Sequence, residues 1–137
     1  MNLFSKIFYK KKILIYGMGK TGLSSYNYLK RDNQIFLYDD NKKTFKKKSL
    51  RKLFLDKNKI HHFKFDYIVI SPGININNCN LKNYLRKNSK KIITDLDIFF
   101  SHHKRNNIIT ITGTNGKSTT AKLLNQILKN HNRDSRL

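Results

Sequence analysis

Two short glycine-containing loops carry the residues of this chain that are best suited to bind phosphate. The first is GMGKTG, in which Gly17, Gly19 and Gly22 form a G-x-G-x-x-G pattern after an apolar, β-branched run. Glycines in this pattern permit a tight turn, a close approach of the backbone to a diphosphate and close packing of helix on strand. The unpaired N–H groups at the start of the following helix favour an anion there.

An acidic pair follows the first loop. Asp39 stands about 20 residues after Gly19, at the end of the next apolar run, and Asp40 adjoins it. A carboxylate at this place can accept hydrogen bonds from a ribose or from a base edge. The pattern leaves two interpretations open, a nicotinamide dinucleotide-binding oxidoreductase domain or a domain that binds a different nucleotide diphosphate.

The second loop, GTNGKST at residues 113–119, has the composition of a triphosphate-binding loop. Backbone N–H groups from Thr114 to Lys117 can surround phosphate oxygens. Lys117 can neutralise the β- and γ-phosphates, and Ser118 can offer a hydroxyl to Mg²⁺. The strict G-x-x-x-x-G-K-[ST] pattern requires a glycine where Ile111 stands, so this loop departs from it at one position.

The elements that must position these loops alternate along the chain. Apolar, β-branched runs predict strands, and the amphipathic runs between them predict helices. The predicted strands are 12–17, 34–40, 65–73, 90–95 and 107–112, and the predicted helices are 21–32, 42–57, 80–88, 96–103 and 117–131. This alternation predicts an α/β fold with a parallel sheet and right-handed crossovers.

The polar stretch at residues 101–107 is the best candidate for a domain boundary. We therefore expect a Rossmann-like domain over residues 1–104, followed by the first strand, phosphate loop and helix of a second domain over residues 105–137. One strand and one helix alone would leave an apolar stripe and strand edges uncovered. We therefore expect the sequence to be a truncated piece of a longer protein.

Composition argues against several classes of protein. The net charge of +21 comes from 29 Lys and Arg against 8 Asp and Glu, but the basic residues are spread along the chain instead of gathering on one element. We therefore expect no nucleic-acid partner. No apolar run reaches the roughly 20 residues of a membrane span. The single cysteine, Cys79, fits a reducing cytoplasm.

The departure at Ile111 is itself informative. The stretch TITGTNGKSTT resembles the ATP loop of the Mur ligase family, which makes peptidoglycan precursors. The stretches YGMGKTGLS, YDD and ISPGI resemble the D-glutamate-adding branch of that family, and the resemblance extends over nearly all of residues 11–131. It implies that the N-terminal domain binds a uridine nucleotide instead of NAD.

The resemblance also implies which residues form two sites. The UDP-sugar would contact Gly17, Gly19, Lys20, Thr21, Gly22, Asp39, Asp40, Ser71, Pro72 and Gly73. Asp39 would face the uracil edge with Asp40 beside it. ATP would contact Gly113, Thr114, Asn115, Gly116, Lys117, Ser118 and Thr119. Within this loop Lys117 and Ser118 would be catalytic, and Ser118 would bind Mg²⁺.

The reaction implied by the resemblance is the ATP-dependent addition of D-glutamate to UDP-N-acetylmuramoyl-L-alanine through an acyl phosphate. The protein would mainly position the reactants and neutralise charge. We expect a cytoplasmic monomer without a membrane partner. We expect no turnover from the 137 residues alone, because the family reaction also needs an acidic Mg²⁺ ligand, a modified lysine and a C-terminal domain.

Overall fold

The computed structural model describes residues 7–41, 48–103 and 107–136. The chain divides into two compact units, Met1–Lys104 and Arg105–Leu137. The first unit contains strands β1 to β4, which are Lys12–Tyr16, Gln34–Tyr38, Tyr67–Ile70 and Ile92–Ile93. Its helices α1 to α4 are Lys20–Leu29, Lys57–Ile60, Lys82–Lys87 and Asp95–His102, with 3-10 helices at Lys48–Leu53 and Ser89–Lys91. The second unit contains helix α5, Lys117–Asn130.

The strands of the first unit form one parallel sheet in the order β2-β1-β3-β4. Strand β1 is paired on both sides, with Ile15 opposite Leu37 of β2 and opposite Val69 of β3. From β1 the chain crosses over to β2, which lies beside β1 on one side. It then returns to β3, which lies beside β1 on the other side. This is the topological switch point at which open α/β sheets bind ligands, beyond the carboxyl ends of the strands. The expected α/β class and parallel sheet are confirmed for this unit.

Both faces of the sheet are covered, so β1 and β2 are apolar after their exposed first residues, Lys12 and Gln34. One face, here named the α1 face, packs against α1 and α4 and consists of Ile13, Ile15, Leu29, Ile35, Leu37, Leu50, Val69 and Ile98. The opposite face, named the α3 face, consists of Leu14, Tyr16, Tyr38, Ile60, Phe65, Ile68, Ile70, Leu81, Tyr84 and Leu85. The alternation along each strand follows from the pleat, which turns successive side chains to opposite sides.

The predicted helix at 42–57 is wrong in the part that the structure describes. Residues 42–47 lie outside the described residues; from Lys48 the chain forms a 3-10 helix and then the separate helix α2. The two are divided because the N–H of Leu55 donates to the carbonyl of Leu37, 2.9 Å away, which draws the chain to the edge of β2. The side chain of Asp56 then caps α2 by accepting from the N–H of Asn58.

The predicted strand at 107–112 is also wrong as the structure has it. Residues 107–112 form no strand, and Ile108 and Ile109 are 40% and 61% exposed. A β-strand is completed by hydrogen bonds to a neighbouring strand, and the described residues of the second unit contain no such neighbour.

The strand expected at 90–95 shortens to β4 because Thr94 becomes the N-cap of α4 in a capping box with Asp97.

Among the described residues, no helix has the length and apolar character needed to cross a membrane.

A matched pair of substitutions tests the core of the first unit. Leu85 is fully buried on the α3 face, whereas Leu96 of α4 is 60% exposed. We expect Leu85→Ala to lower the free energy of unfolding by about 2–5 kcal/mol, because it removes packed methyl groups and leaves a cavity. The same change at Leu96 should cost about 0.5 kcal/mol or less. Urea denaturation followed by circular dichroism measures both, and equal losses would contradict this core.

Candidate functional site

The glycine loop after β1 owes its shape to its neighbours. Gly17 has φ +92, in the left-handed region, and a Cβ at Gly22 would overlap the carbonyl oxygen of Gly17. Both positions therefore require glycine for the turn and for close packing of α1 on β1. Gly19 differs, because a Cβ there would meet no atom within 4 Å. The space above Gly19 is open, and the fold itself gives no reason for a glycine there.

Ser71 ties the glycine loop to the end of β3. Its hydroxyl donates to the carbonyl oxygen of Gly17 at 2.7 Å, and its N–H donates to the carbonyl of Tyr16 at 3.0 Å. Pro72 and Gly73 follow on an exposed turn, which closes as the N–H of Ile74 donates to the carbonyl of Ser71. The structure therefore brings Ser71 against the loop and places the Pro72-Gly73 turn beside it.

Asp39 ties the same loop to the end of β2. Its Oδ2 accepts a hydrogen bond from the N–H of Met18 at 2.6 Å, and its Oδ1 accepts from the N–H of Asn41 at 2.8 Å. Charge-assisted bonds of this kind are stronger than bonds between neutral groups. Both oxygens of this carboxylate therefore hold backbone groups of the chain itself.

Asp40 has a different partner. Its Oδ2 accepts a hydrogen bond from the phenol of Tyr16 at 2.6 Å. Tyr16 is fully buried, and its ring meets that of Tyr38 edge-on with 5.1 Å between centroids. Burial and the hydrogen bond to Asp40 raise the pKa of Tyr16 well above its usual value. Burial and the Asp40 carboxylate raise the pKa of Tyr38 to about 12.

Sequence reasoning missed these two tyrosines, although a signal for them was present. KILIY and QIFLY each end in tyrosine, and Tyr16 and Tyr38 are register partners in the sheet. Two phenols at the same level of neighbouring parallel strands, next to an acid, indicate a polar contact at the carboxyl edge.

The start of α1 is a candidate position for an anion at the same edge of the sheet. Gly19 is the N-cap, no side chain caps the helix, and its first turn contains no acidic residue. The first N–H groups of a helix have no partner within the helix and carry a partial positive charge. Lys20 is exposed and Thr21 is half-buried at this end of the helix. These features fit a diphosphate.

A cleft of about 490 Å³ lies between α1 and α4. It begins at Lys20 and Thr21 and reaches Tyr28 and His102, whose Oη and Nδ1 are 2.8 Å apart. The other lining residues are Ser24, Ser25, Asp95, Ile98, Phe99 and His103. The end of the cleft at Lys20 and Thr21 therefore coincides with the start of α1, the candidate position for an anion.

The second glycine loop is described within its own unit. Gly113 and Gly116 have φ +148 and +75, and Gly116 is the left-handed N-cap of α5 without a side-chain cap. All of residues 113–119 are exposed, including Asn115 and the Ser118 and Thr119 hydroxyls of the first helical turn. The ammonium of Lys117 folds back onto the loop, where it donates to the carbonyls of Gly113 and Thr114.

This loop fits the phosphates of a nucleotide by its free amides, its lysine and its hydroxyls. The loop has fewer candidate ligands for Mg²⁺ than for phosphate. Among the residues that the structure describes, no three His, Cys, Asp or Glu side chains group as metal ligands. The structure shows only that Ser118 is exposed in the first turn of α5.

Comparison with known proteins gives one consistent family. Residues 11–94 match the family described as Mur ligase MurD-like, N-terminal domain. The chain is 38% identical over 128 residues to UDP-N-acetylmuramoylalanine--D-glutamate ligase of Rickettsia prowazekii (strain Madrid E), covering 91% of this chain and 28% of that relative. It is 34% identical over 143 residues to the protein of the same name from Caldicellulosiruptor saccharolyticus, covering 94% of this chain and 29% of the relative. No solved structure matches significantly.

The chain thus spans less than a third of the length of these curated relatives. The family match covers β1 through β4, together with the glycine loop, the acidic pair and Ser71. On these grounds, the chain belongs to the Mur ligase family, with an N-terminal domain of the MurD-like type.

Proposed function

We propose that the first unit binds a UDP-sugar and that the second unit supplies the phosphate loop of an ATP site, as parts of a ligase that makes peptidoglycan precursors. The observation that carries this proposal is the uncapped start of α1 below the open space at Gly19. It lies at the switch point of the sheet, where nucleotides bind in α/β folds.

In the first unit, each predicted residue has a physical task. The diphosphate would lie over Gly19 and accept hydrogen bonds from the first N–H groups of α1, with the Lys20 ammonium nearby. Thr21 would add its hydroxyl. The turn at Pro72 and Gly73 would border the sugar side of the ligand, because Ser71 holds it against the loop. The nucleoside would extend toward the acids at the end of β2.

In the second unit, residues 113–119 would surround the phosphates of ATP. Bound ATP would supply the phosphoryl group that activates a carboxylate for amide formation. Lys117 would leave the loop carbonyls that it now contacts and neutralise phosphate charge. Ser118 would contact Mg²⁺, and Thr119 would add a hydroxyl at the helix start.

The reaction that we propose for the whole protein is the addition of D-glutamate to UDP-N-acetylmuramoyl-L-alanine through an acyl phosphate. The support for these substrates is the name that the relatives share. The described residues contribute positioning of the nucleotide and neutralisation of phosphate charge. Both tasks accelerate a reaction by orienting groups and stabilising developing charge.

Ligand-dependent stability separates this proposal from its alternatives. We expect UDP-N-acetylmuramoyl-L-alanine to raise the Tm of the chain steadily as its concentration rises above the Kd, with about 2.7 kcal/mol of added stability at 100 times the Kd. NADH and a short DNA duplex, added at equal concentration and moderate salt, should leave the Tm unchanged. An increase in Tm with NADH alone would instead favour the nicotinamide dinucleotide alternative.

Two glycines of the first loop give a matched test of binding against folding. Gly19→Ala should leave folding stability within about 1 kcal/mol of the original, because a Cβ there meets open space. It should lower affinity for UDP about tenfold, or about 1.4 kcal/mol, because the methyl group takes the space of the phosphate. Gly22→Ala should lower stability itself by about 1–3 kcal/mol, because its Cβ overlaps Gly17. Calorimetric titration with UDP and thermal melts measure both, and unchanged UDP affinity in Gly19→Ala would contradict the proposed phosphate position.

The phosphate loop of the second unit has its own matched pair. Lys117→Ala should weaken binding of Mg²⁺·ATP about tenfold or more, since the lysine lies on the loop itself. Lys129→Ala removes the same charge from the far end of α5 and should change affinity about twofold or less. Equilibrium dialysis with labelled ATP measures both variants. Equal losses would mean that the general positive charge attracts ATP and that the loop does not bind it.

A further inference from the structure

We propose that Tyr16 is a positioning residue for the nucleotide: its buried phenol orients Asp40 as the carboxylate that contacts the nucleoside, while Asp39 holds the glycine loop. This inference rests on the proposed function of the first unit and assigns different tasks to two neighbouring acids. The resemblance to the Mur ligase family implied instead that Asp39 faces the uracil edge, with Asp40 beside it.

The two acids follow β2 and make contacts on opposite sides of the sheet. The strand ends at Tyr38, and the chain bends at Asp40, so the side that each acid reaches is shown by its own contact. Asp39 accepts from Met18, which packs on the α1 face, and Asp40 accepts from Tyr16 on the α3 face.

Asp39 is committed to the shape of the loop. One of its oxygens accepts from the N–H of Met18, between Gly17 and Gly19, and the other accepts from the N–H of Asn41. Loss of this side chain would release the phosphate-binding backbone at Met18. In this proposal the first task of Asp39 is therefore to hold the loop.

Asp40 is exposed, yet its orientation is fixed by a buried group. Tyr16 is 0% exposed and presses edge-on against Tyr38, so its ring has little freedom to move. The phenol stays protonated and so remains a donor to Oδ2 of Asp40. A carboxylate has about four acceptor positions, so this bond leaves others for a ligand.

The matching ligand chemistry is a hydrogen-bond donor on a nucleoside, either the imide N–H of uracil or a ribose hydroxyl. A carboxylate held in place before binding loses less side-chain entropy than a mobile one. Removing the phenol should therefore weaken contact with the nucleoside and leave contact with the diphosphate unchanged.

The test is a double-mutant cycle measured by calorimetric titration of the full chain with UDP and with inorganic pyrophosphate. We expect Tyr16→Phe to lower UDP affinity about threefold to tenfold and to leave pyrophosphate affinity unchanged. Asp40→Ala should do the same. The double variant should bind UDP no more weakly than Asp40→Ala alone, because Tyr16 acts through Asp40.

Two control variants define the specificity of the effect. Tyr84→Phe removes a phenol that is also buried on the α3 face and should leave both affinities unchanged. Asp39→Ala should weaken UDP and pyrophosphate together, because it releases the loop at Met18. Titration with N3-methyl-UDP and with 2′-deoxy-UDP then identifies the donor, since only the analogue that lacks it should be insensitive to Tyr16→Phe.

Different failures have different meanings. The losses of UDP affinity in Tyr16→Phe and Asp40→Ala could be additive in the double variant. That result would overturn the positioning role and leave the proposed function intact. An equal loss of pyrophosphate affinity in Tyr16→Phe would also overturn it, since the phenol would then support only the fold. If the unchanged chain binds pyrophosphate but gains nothing from the nucleoside of UDP, the proposed function and the positioning role both fall.

Discussion

Strand β1 is hydrogen-bonded in parallel to β2 on one side and to β3 on the other, and Ile15 lies between Leu37 and Val69. This pairing brings the carboxyl ends of the three strands to one edge. The glycine loop, the acidic pair and Ser71 come from distant parts of the sequence, yet each directly follows one of these strands. The register of the sheet is enough to bring these three segments together. Two short hydrogen bonds then fix the loop: Ser71 donates to the carbonyl of Gly17, and Asp39 accepts from the N–H of Met18.

The side of the sheet on which each residue makes its contacts adds a second constraint. Tyr16 and Tyr38 are the last residues of β1 and β2 and are register partners. They therefore lie side by side on the α3 face, at the carboxyl ends of these strands. One residue further along, Asp39 turns to the loop, and the next, Asp40, turns back to Tyr16. Two acids of the same type, adjacent in sequence, thereby enter different surroundings. The division of tasks that we propose for them rests on these contacts and on the burial of Tyr16.

Both candidate phosphate positions use the start of a helix without a side-chain cap, at Gly19 for α1 and at Gly116 for α5. The two helices differ in how much of their surface is packed against other elements. Helix α1 packs on the sheet through Leu29, whereas α5 has no fully buried residue. In the second unit, the loop's own lysine contacts its carbonyls. The backbone conformation of the loop at residues 113–119 depends on glycine dihedral angles and on hydrogen bonds within α5. Both involve only residues close together in sequence.

The sequence by itself determined the parallel α/β architecture, because strands buried on both faces leave continuous apolar runs such as KILIY and QIFLY. It also indicated both glycine loops, the first by its G-x-G-x-x-G spacing and the second by the Gly-Lys-Ser sequence at its end, although Ile111 departs from the strict pattern. It could not divide residues 48–60 into two short helices, because that break depends on a bond from Leu55 to the distant Leu37. Nor could it supply a strand at 107–112, which needs a neighbour to pair with. The roles of Asp39, Asp40 and Tyr16 were likewise decided only by tertiary structure, because the side of the sheet to which each side chain turns, and what lies there, is fixed by contacts between residues far apart in sequence.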